Sequence, residues 1–275
     1  MLWYYIFMKR LKQNVLYGIA ILAVVGFGFY FVISLHGFFV HLRDGRVAQE
    51  NETLVQEMFA EQIEAIVSEI EGCTQIEYEM PPQEDSKTVP NLLQEAREKF
   101  DNPDIVAYLT IPGTAVGNVV VQGHDNDFYL RRDAFGQSNQ AGSLFMHYAN
   151  SNDFSDPSTI IFGHNMRNGT MFHDLRYFMN QSFAQANPHI ILITDYGVLI
   201  YEIFATFSAH VTFNYIQVHF KTEAEFGALV QDFMRRSVID MGIIASPYDN
   251  IIILSTCTNI DRDTRFVVVG RLISS

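Results

Sequence analysis

The sequence predicts a mostly β domain with amino-terminal helices, preceded by one transmembrane helix. The twenty-one residues from Val15 to Leu35 carry no charge, and at about 1.5 Å per residue such a helix crosses a bilayer core of roughly 30 Å. An acidic stretch with helical periodicity follows. After residue 104, short runs rich in β-branched residues alternate with Gly, Asn and Asp. Many short strands of this kind are typical of a closed barrel or a sandwich.

The amino terminus predicts an uncleaved membrane anchor. Three basic residues, Lys9, Arg10 and Lys12, precede the apolar segment, which continues through Val40. A cleaved signal peptide would have a shorter apolar core and a small-residue cleavage site. We therefore assign residues 1–14 to a basic cytoplasmic terminus and residues 15–40 to the anchor. Because basic flanks stay in the cytoplasm, we expect a single-pass protein of the cell membrane whose amino terminus is cytoplasmic and whose remaining chain is extracellular.

The net charge and the number of cysteines argue against several kinds of partner and scaffold. Residues 36–275 contain fifteen basic and thirty-one acidic side chains, a net charge of −16. This excess argues against nucleic acid and against anionic lipid headgroups as partners. The two cysteines, Cys73 and Cys257, are too few for a disulfide-stapled scaffold, and the sequence does not establish whether they pair. The sequence predicts no role for Cys73.

Residues 41–103 predict an acidic helical stem and linker. Apolar side chains from Leu54 to Ile70 recur at steps of three and four residues, the pattern of a helix that buries one stripe. We expect this stripe to pack against the globular domain. Gly72 is predicted to end the helix, Met80–Ser86 to form a linker, and Pro90–Phe100 to form a second short helix.

Residues 104–275 predict eight strands and two further helices. One helix is expected over Thr170–Asn180. A longer one is expected over Thr222–Val238, between strands six and seven, where Thr222 and Glu225 have the spacing of a capping box. The predicted strands cover residues 106–111, 116–121, 142–148, 159–163, 189–194, 198–207, 251–254 and 265–269.

The last two strands bring a thiol and a guanidinium together. Cys257 ends one apolar run and Arg265 begins the next, with Thr258–Asp263 as a predicted surface loop. The two residues would face each other across the mouth of a hairpin. A nearby cation favours the thiolate, and an arginine can also hold the oxyanion of a tetrahedral intermediate. The alternative is a buried structural cysteine beside a surface arginine.

His164 is the histidine best placed to serve such a thiol. It follows the apolar strand Ile160–Phe162 and Gly163, at a strand end where the sheet holds a side chain rigidly at the rim. There it would exchange protons with a leaving group. The alternative is a strand-end histidine satisfied by a local backbone bond.

Spacing disfavours other thiol chemistries. A phosphatase-type thiol loop would need an arginine where Asp263 stands. No paired Cys or His ligands flank Cys257 or His164, so we predict no metal and no cofactor. In papain-like proteases the cysteine comes before the histidine, whereas here His164 comes first.

The pattern resembles the sortase family, class B. The resemblance rests on Leu254–Cys257, Gly163–His164, Arg265, Val121–Leu130 and Gly142–His147, and it covers about residues 104–272. It implies an eight-stranded sortase-type β-barrel over residues 104–275, with amino-terminal helices and a long helix between strands six and seven.

The resemblance also implies an activity. A member of this family is a membrane-anchored cysteine transpeptidase that cleaves a carboxy-terminal sorting signal after threonine. Cys257 would form the thioacyl intermediate, His164 would move the protons, and Arg265 would stabilise the oxyanion. The implied partners are sorting-signal-bearing surface proteins and a peptidoglycan precursor amine as acceptor. A pilin-polymerising sortase and a non-catalytic surface binding module with the same fold remain alternatives.

Substrate-binding positions follow from the same resemblance. Two departures from the family pattern are Phe162, where Tyr is frequent, and Ile253, where Thr is common. The alternative for the binding positions is that they are ordinary polar residues of turns or packed residues of the core. The implied substrate-binding residues are Ser255, Asn126, Leu130, Tyr215 and Ile216.

Overall fold

The computed structural model describes residues 2–73, 89–257 and 263–274. The predicted linker Met80–Ser86 and most of the predicted loop Thr258–Asp263 lie outside these residues, as do the side chains of Cys73 and Cys257. The chain forms two compact units, Met1–Asp44 and Gly45–Ser275. Helix α1 (Leu2–Cys73) contains a window of mean hydropathy 2.4, so it is long and apolar enough to cross a membrane.

The second unit contains a closed β-barrel, which confirms the predicted fold class. Around the barrel the order is β1-β2-β3-β4-β7-β8-β6-β5. The β2–β3 and β4–β7 pairs are parallel, and the other pairs are antiparallel. The strands are β1 (Ile105–Thr110), β2 (Gly117–Val121), β3 (Leu144–Met146), β4 (Ser158–Phe162), β5 (His189–Thr194), β6 (Gly197–His210), β7 (Ile251–Cys257) and β8 (Thr264–Ser274).

Strand β7 shows how the barrel divides its side chains. Ile252 and Leu254 belong to the barrel interior, whereas Ile251 and Ile253 pack outward against helix α4 (Glu223–Arg236). This alternation follows from the pleat, which turns successive side chains to opposite faces. Both faces of the strand are therefore buried, which explains its uninterrupted apolar sequence.

The amino-terminal end of α4 carries part of the predicted capping box. The Thr222 side chain accepts a hydrogen bond from the Glu225 backbone N–H at 3.2 Å, as predicted. The Glu225 carboxylate, however, accepts from the backbone N–H of Lys221 at 2.8 Å rather than from that of Thr222. The partner of the Glu225 carboxylate differs, but side chains still accept hydrogen bonds from backbone N–H groups at the start of α4. The arrangement is thus a variant of the expected capping box.

The stem packs on the barrel as the sequence predicts. Within the second unit, α1 and helix α2 (Val89–Phe100) cover the outer face of β1 and β2. The rings of Phe59 and Tyr108 stack with their centroids 4.2 Å apart. Leu93 and Phe100 of α2 are fully buried in the same cluster. The hydrophobic stripe of the predicted stem helix is therefore part of the domain core.

Three elements differ from the prediction. Instead of one helix over Thr170–Asn180, a 3-10 helix (His173–Met179) precedes α3 (Gln181–Ala186), because Asn180 is extended and caps α3 by accepting from the Phe183 N–H. Strand β3 is shorter than residues 142–148, since Gly142 has a φ of +61° and lies against the Leu130 carbonyl. Strand β8 is longer, because it pairs with β6 along its full length.

Candidate active site

Strand pairing brings three predicted catalytic residues to one rim of the barrel. Parallel pairing of β4 with β7 aligns Phe162 with Ser255, and the Gly163 N–H donates to the Ser255 carbonyl at 3.2 Å. His164 and Cys257 each lie two residues beyond this aligned pair, so their backbone positions are level. On the other side of β7, the antiparallel register pairs Cys257 with Arg265, as the sequence predicts.

The ring of His164 is held by a backbone carbonyl. Its Nε2 atom lies 2.8 Å from the oxygen of Leu130. A carbonyl oxygen only accepts hydrogen bonds, so Nε2 carries the hydrogen and donates it. This leaves Nδ1 as the ring atom able to gain or lose a proton. The alternative left open by the sequence was a histidine satisfied by a hydrogen bond to the backbone. That hydrogen bond is present, but it occupies only one nitrogen of the half-buried His164 ring.

The glycine before His164 is required by close packing. A Cβ atom at Gly163 would lie 2.7 Å from the Phe172 ring and closer still to a Leu144 methyl group. Any larger residue would push the end of β4 away from the chain that follows it. Because Gly163 has no side chain, the backbone at the end of β4 can pass close to Leu144 and Phe172, and His164 follows directly at the barrel rim.

The site opens into a cavity of about 480 Å³. It includes every residue that the sequence predicts for catalysis or substrate binding, apart from Cys257, whose side chain is not described. Aromatic and aliphatic side chains supply most of the surface. The lining residues are Asn126, Leu130, Phe145, Phe162, Gly163, His164, Val211, Thr212, Phe213, Asn214, Tyr215, Ile216, Ser255, Thr256 and Arg265.

A buried hydrogen bond ties the cavity wall to β7. The hydroxyl oxygens of Tyr215 and Ser255 lie 2.8 Å apart, and both side chains are buried. Tyr215 belongs to the segment between β6 and α4. The same segment is fixed by Phe213, whose ring lies 4.0 Å from the guanidinium carbon of Arg236. Ile216, by contrast, is exposed at the cavity edge.

The opposite wall comes from the segment after β2. Leu130 lies in a 3-10 helix (Tyr129–Arg131) and provides both its side chain and the carbonyl that holds His164. The Asn126 side-chain oxygen accepts from the Tyr148 backbone N–H at 3.0 Å. Asn126 therefore links this wall to the turn between β3 and β4.

The electrostatics of the cavity are simple. Among its described lining residues, Arg265 is the cation and no carboxylate is present. Partial burial lowers the pKa of nearby His147, and the charge of His219 lowers it further. The cavity thus combines a cationic group, which can stabilise developing negative charge, with a mostly apolar lining.

The sequence assigned no role to several aromatic and polar lining residues, among them Phe145, Phe213 and Thr256. Phe145 lies on β3, Phe213 on the segment before α4, and Thr256 next to Cys257. Phe145 and Phe213 look like ordinary core residues in the sequence. Their partners, Phe162 and Arg236, are distant in the chain. Thr256 carried a usable signal, since it directly precedes the candidate nucleophile.

Comparison with known proteins agrees with this architecture. Residues 109–273 match the sortase domain family. Sortase B of Listeria monocytogenes is 38% identical over 178 residues, 63% of this chain and 71% of that protein. Sortase B of Staphylococcus aureus is 31% identical over 181 residues, 65% of this chain and 74% of that protein. The structure titled Staphylococcus aureus sortase B-substrate complex matches with a TM-score of 0.69 and 25% identity, over 85% of this chain and 99% of that one.

The chain belongs to the sortase family of cysteine transpeptidases. Both reported curated relatives are sortase B proteins, and the solved structure is a sortase B as well. Within the family, the chain therefore groups with class B. The resemblance to class B sortases, the predicted fold class and the predicted enzyme class are confirmed.

Proposed function

We propose that this chain is a membrane-anchored transpeptidase that cleaves a carboxy-terminal sorting signal after threonine and joins the protein to an amine of the cell wall. The observation that supports the proposal is the strand register: Phe162 and Ser255, each two residues before a candidate catalytic residue, are aligned, and Cys257 is paired with Arg265. His164 and Arg265 both line the cavity. The family shown by the comparisons supports a sortase reaction in general.

The first half of the proposed reaction forms the thioacyl enzyme. The Cys257 thiolate attacks the threonine carbonyl carbon, and the carbonyl oxygen becomes an oxyanion, which the Arg265 guanidinium stabilises. When the intermediate collapses, the carbon–nitrogen bond breaks and the imidazolium of His164 gives its Nδ1 proton to the departing amine. The Nε2–H bond to Leu130 keeps the ring oriented during this transfer.

The second half transfers the acyl group to the acceptor. An incoming amine attacks the thioester carbon, the tetrahedral intermediate collapses, and the Cys257 thiolate leaves. Neutral His164 accepts the proton that the new amide nitrogen loses, which restores the imidazolium. Each half moves one proton through His164, so no further co-reactant is needed.

The substrate groove is proposed to be the apolar cavity. Leu130 and Ile216 would contact the signal from opposite walls, and Asn126 from the rim, while the Tyr215–Ser255 pair would shape the floor beside the nucleophile. Phe162 supplies an apolar ring without a hydroxyl at this floor. The cavity favours apolar side chains in the signal for this reason.

The proposed topology is a single pass with the amino terminus in the cytoplasm. The apolar window of α1 and the basic residues before it support this orientation. We propose residues 1–14 as the cytoplasmic terminus, 15–40 as the anchor, 41–103 as the stem and 104–275 as the catalytic barrel. Sorting signals and wall precursors would then meet the site outside the cell.

Cleavage of sorting peptides tests the proposal. The full chain, purified in detergent or nanodiscs, would be incubated with a peptide library and an amine acceptor, and the products would be sequenced by mass spectrometry. Cleavage after threonine and a peptide–amine conjugate are expected, and Cys257→Ala should give neither. A Cys257→Ala chain that still cleaves at the wild-type rate would refute the proposal.

A further inference from the structure

One face of the stem helix makes polar contacts with the loop that follows His164. The Gly45 carbonyl of α1 accepts from the Asn168 side-chain amide at 2.8 Å. About two turns later, the buried Glu52 carboxyl lies against the backbone N–H of Met171. One turn further, Gln56 donates to the Ala115 carbonyl at 3.1 Å. Two of these contacts reach the segment between β4 and the following 3-10 helix.

That segment is closed at its base beside His164. Asn165 and Met171 form an isolated β-bridge, and the Phe172 N–H donates to the His164 carbonyl at 2.9 Å. Met171 has a φ of +60°, a conformation that residues with a side chain rarely adopt. The turn residues 165–171 therefore need outside support, and α1 supplies it at Asn168 and at Met171.

Glu52 is an unusual group for such an interface. It is 6% exposed, and its Oε1 atom has no hydrogen-bond partner within the described part of the chain. Burial raises the pKa of Glu52 to about 8, the Met171 N–H opposes this shift, and nearby Asp174 adds to it. The Tyr108 phenol lies close to Glu52, and burial raises its pKa to about 12. The raised pKa of Glu52 favours its protonated form at neutral pH.

Burying an acid of this kind costs free energy. An apolar residue of similar size would pack there without the cost of desolvating a carboxyl group. What a carboxyl oxygen offers, and a leucine does not, is an acceptor for the N–H of a residue held at positive φ. The contact thus points to the conformation of the loop rather than to the packing of the helix.

We infer that Glu52 is a positioning residue, which holds the Met171 N–H and, through the Asn165–Met171 bridge, keeps the His164 ring aligned with its carbonyl partner and with Cys257. This inference rests on the proposed role of His164 in proton transfer. It adds a contribution of the stem to catalysis, because the stem then sets the geometry of the catalytic loop as well as covering the barrel.

Three matched variants of the full chain test the inference. Glu52→Leu removes the acceptor, Glu52→Gln keeps a neutral oxygen acceptor, and Glu61→Leu makes the same exchange at an exposed position of α1. We expect Glu52→Leu to lower kcat by about tenfold or more, since small misplacements of catalytic groups are costly, with little change in KM. Glu52→Gln should restore most of kcat, and Glu61→Leu should behave like the wild type.

A spectroscopic readout separates this inference from the proposed function. In chains with 15N-labelled histidine, the ring shifts of His164 report its tautomer without any turnover. Glu52→Leu should alter these shifts, and Glu52→Gln should leave them near the wild-type values. If Cys257→Ala still cleaves peptides, the proposed function fails, whereas unchanged His164 shifts in a folded Glu52→Leu chain overturn the inference alone.

Asn168→Asp provides a second variant if Glu52→Leu does not fold. It removes the donor to the Gly45 carbonyl from an exposed position but keeps the oxygen that accepts from Thr170, so the core of the interface and the loop's own bonds stay intact. A shift of the His164 ring signals and a lower kcat at unchanged KM are expected again. Wild-type signals together with a wild-type kcat in this variant would overturn the inference.

Discussion

Tyr215 and Ser255 are forty residues apart in the sequence, and their hydroxyl oxygens share a buried hydrogen bond of 2.8 Å. One residue belongs to the segment before α4 and the other lies two positions before Cys257 on β7. The bond therefore couples the cavity wall formed by the segment before α4 to the strand that carries the candidate nucleophile.

Removing the Tyr215 hydroxyl should weaken both the fold and the groove. Tyr215→Phe leaves the buried Ser255 hydroxyl without this partner, at a cost of about 1–3 kcal/mol in the free energy of unfolding. We expect KM for a sorting peptide to rise as the wall loosens. The double variant with Ser255→Ala should cost less than the sum of the single variants. Tyr248→Phe, at an exposed position, is the control, and strict additivity would argue against the coupling.

Replacing His164 should stop proton transfer. His164→Gln keeps an N–H donor for the Leu130 carbonyl but has no group that exchanges a proton near neutral pH. A loss of about a thousandfold in kcat/KM is expected, within the range found for general acid–base catalysis. The measurement is peptide cleavage by chromatography, with His124→Gln on the exposed surface as the control. A loss below about tenfold would contradict a catalytic His164.

The contribution of Arg265 to kcat should depend on the shape of its guanidinium group as well as on its charge. Lysine keeps the positive charge but lacks the planar fork that binds an oxyanion and its neighbours together. We expect Arg265→Lys to lower kcat by about 10- to 100-fold, and Arg265→Met to lower it further. Arg271→Lys is the matched control, because it lies on the same strand and pairs with Glu202. Equal activity of the wild type and Arg265→Met would exclude the proposed role.

The buried Glu52 carboxyl predicts a pH-dependent stability. Because its pKa is raised from 4.5 to about 8, the folded chain keeps a proton that the unfolded chain releases between these two values. The free energy of unfolding should therefore fall as pH rises through this window, by at most about 1.4 kcal/mol per pH unit. Denaturant unfolding at pH 5 and pH 8 should show this loss in the wild type and in Glu61→Gln, but not in Glu52→Gln. Identical pH slopes would refute the prediction.

Truncating Phe59 should show that the stem belongs to the domain core. Phe59→Ala removes a fully buried ring stacked on Tyr108 and should lower the free energy of unfolding by about 3–5 kcal/mol. Phe59→Leu should cost less, because it leaves a smaller cavity. Glu57→Ala, on the exposed face of the same helix, should be near neutral. If Phe59→Ala unfolds like Glu57→Ala, the stem contributes little to the stability of the barrel.

The strands could be predicted because each has a sequence pattern that involves only neighbouring residues. The apolar run in β7 and its continuation in β8 are visible in the sequence, and so is the opposition of Cys257 and Arg265 across one hairpin. The parallel pairing of β4 with β7 was not predictable, since it joins strands that are far apart in the chain. His164 could be chosen from its strand-end position, but its level alignment with Cys257 follows only from that register.

The residues that sequence reasoning missed share a physical cause. Glu52 reads as one acid among many on an acidic helix, and only its burial against Met171 distinguishes it. Asn180 divides the predicted Thr170–Asn180 helix from α3, because its extended backbone and side-chain cap outweigh the helical pattern around it. In each case the deciding contact is with an element that periodicity does not reveal.

The parallel arrangement of β4 and β7 brings the two candidate proton-exchanging residues to one rim although they are far apart in the chain. Both strands run in the same direction and end at the same rim, so residues 165–250, which include β5, β6 and α4, leave and return to neighbouring positions. Substitutions in the part of this stretch between β6 and α4 can reshape the substrate groove, since it includes Tyr215 and Ile216, while the backbone spacing between His164 and Cys257 stays set by the sheet. The fold thereby separates the evolution of substrate choice from the preservation of the chemistry.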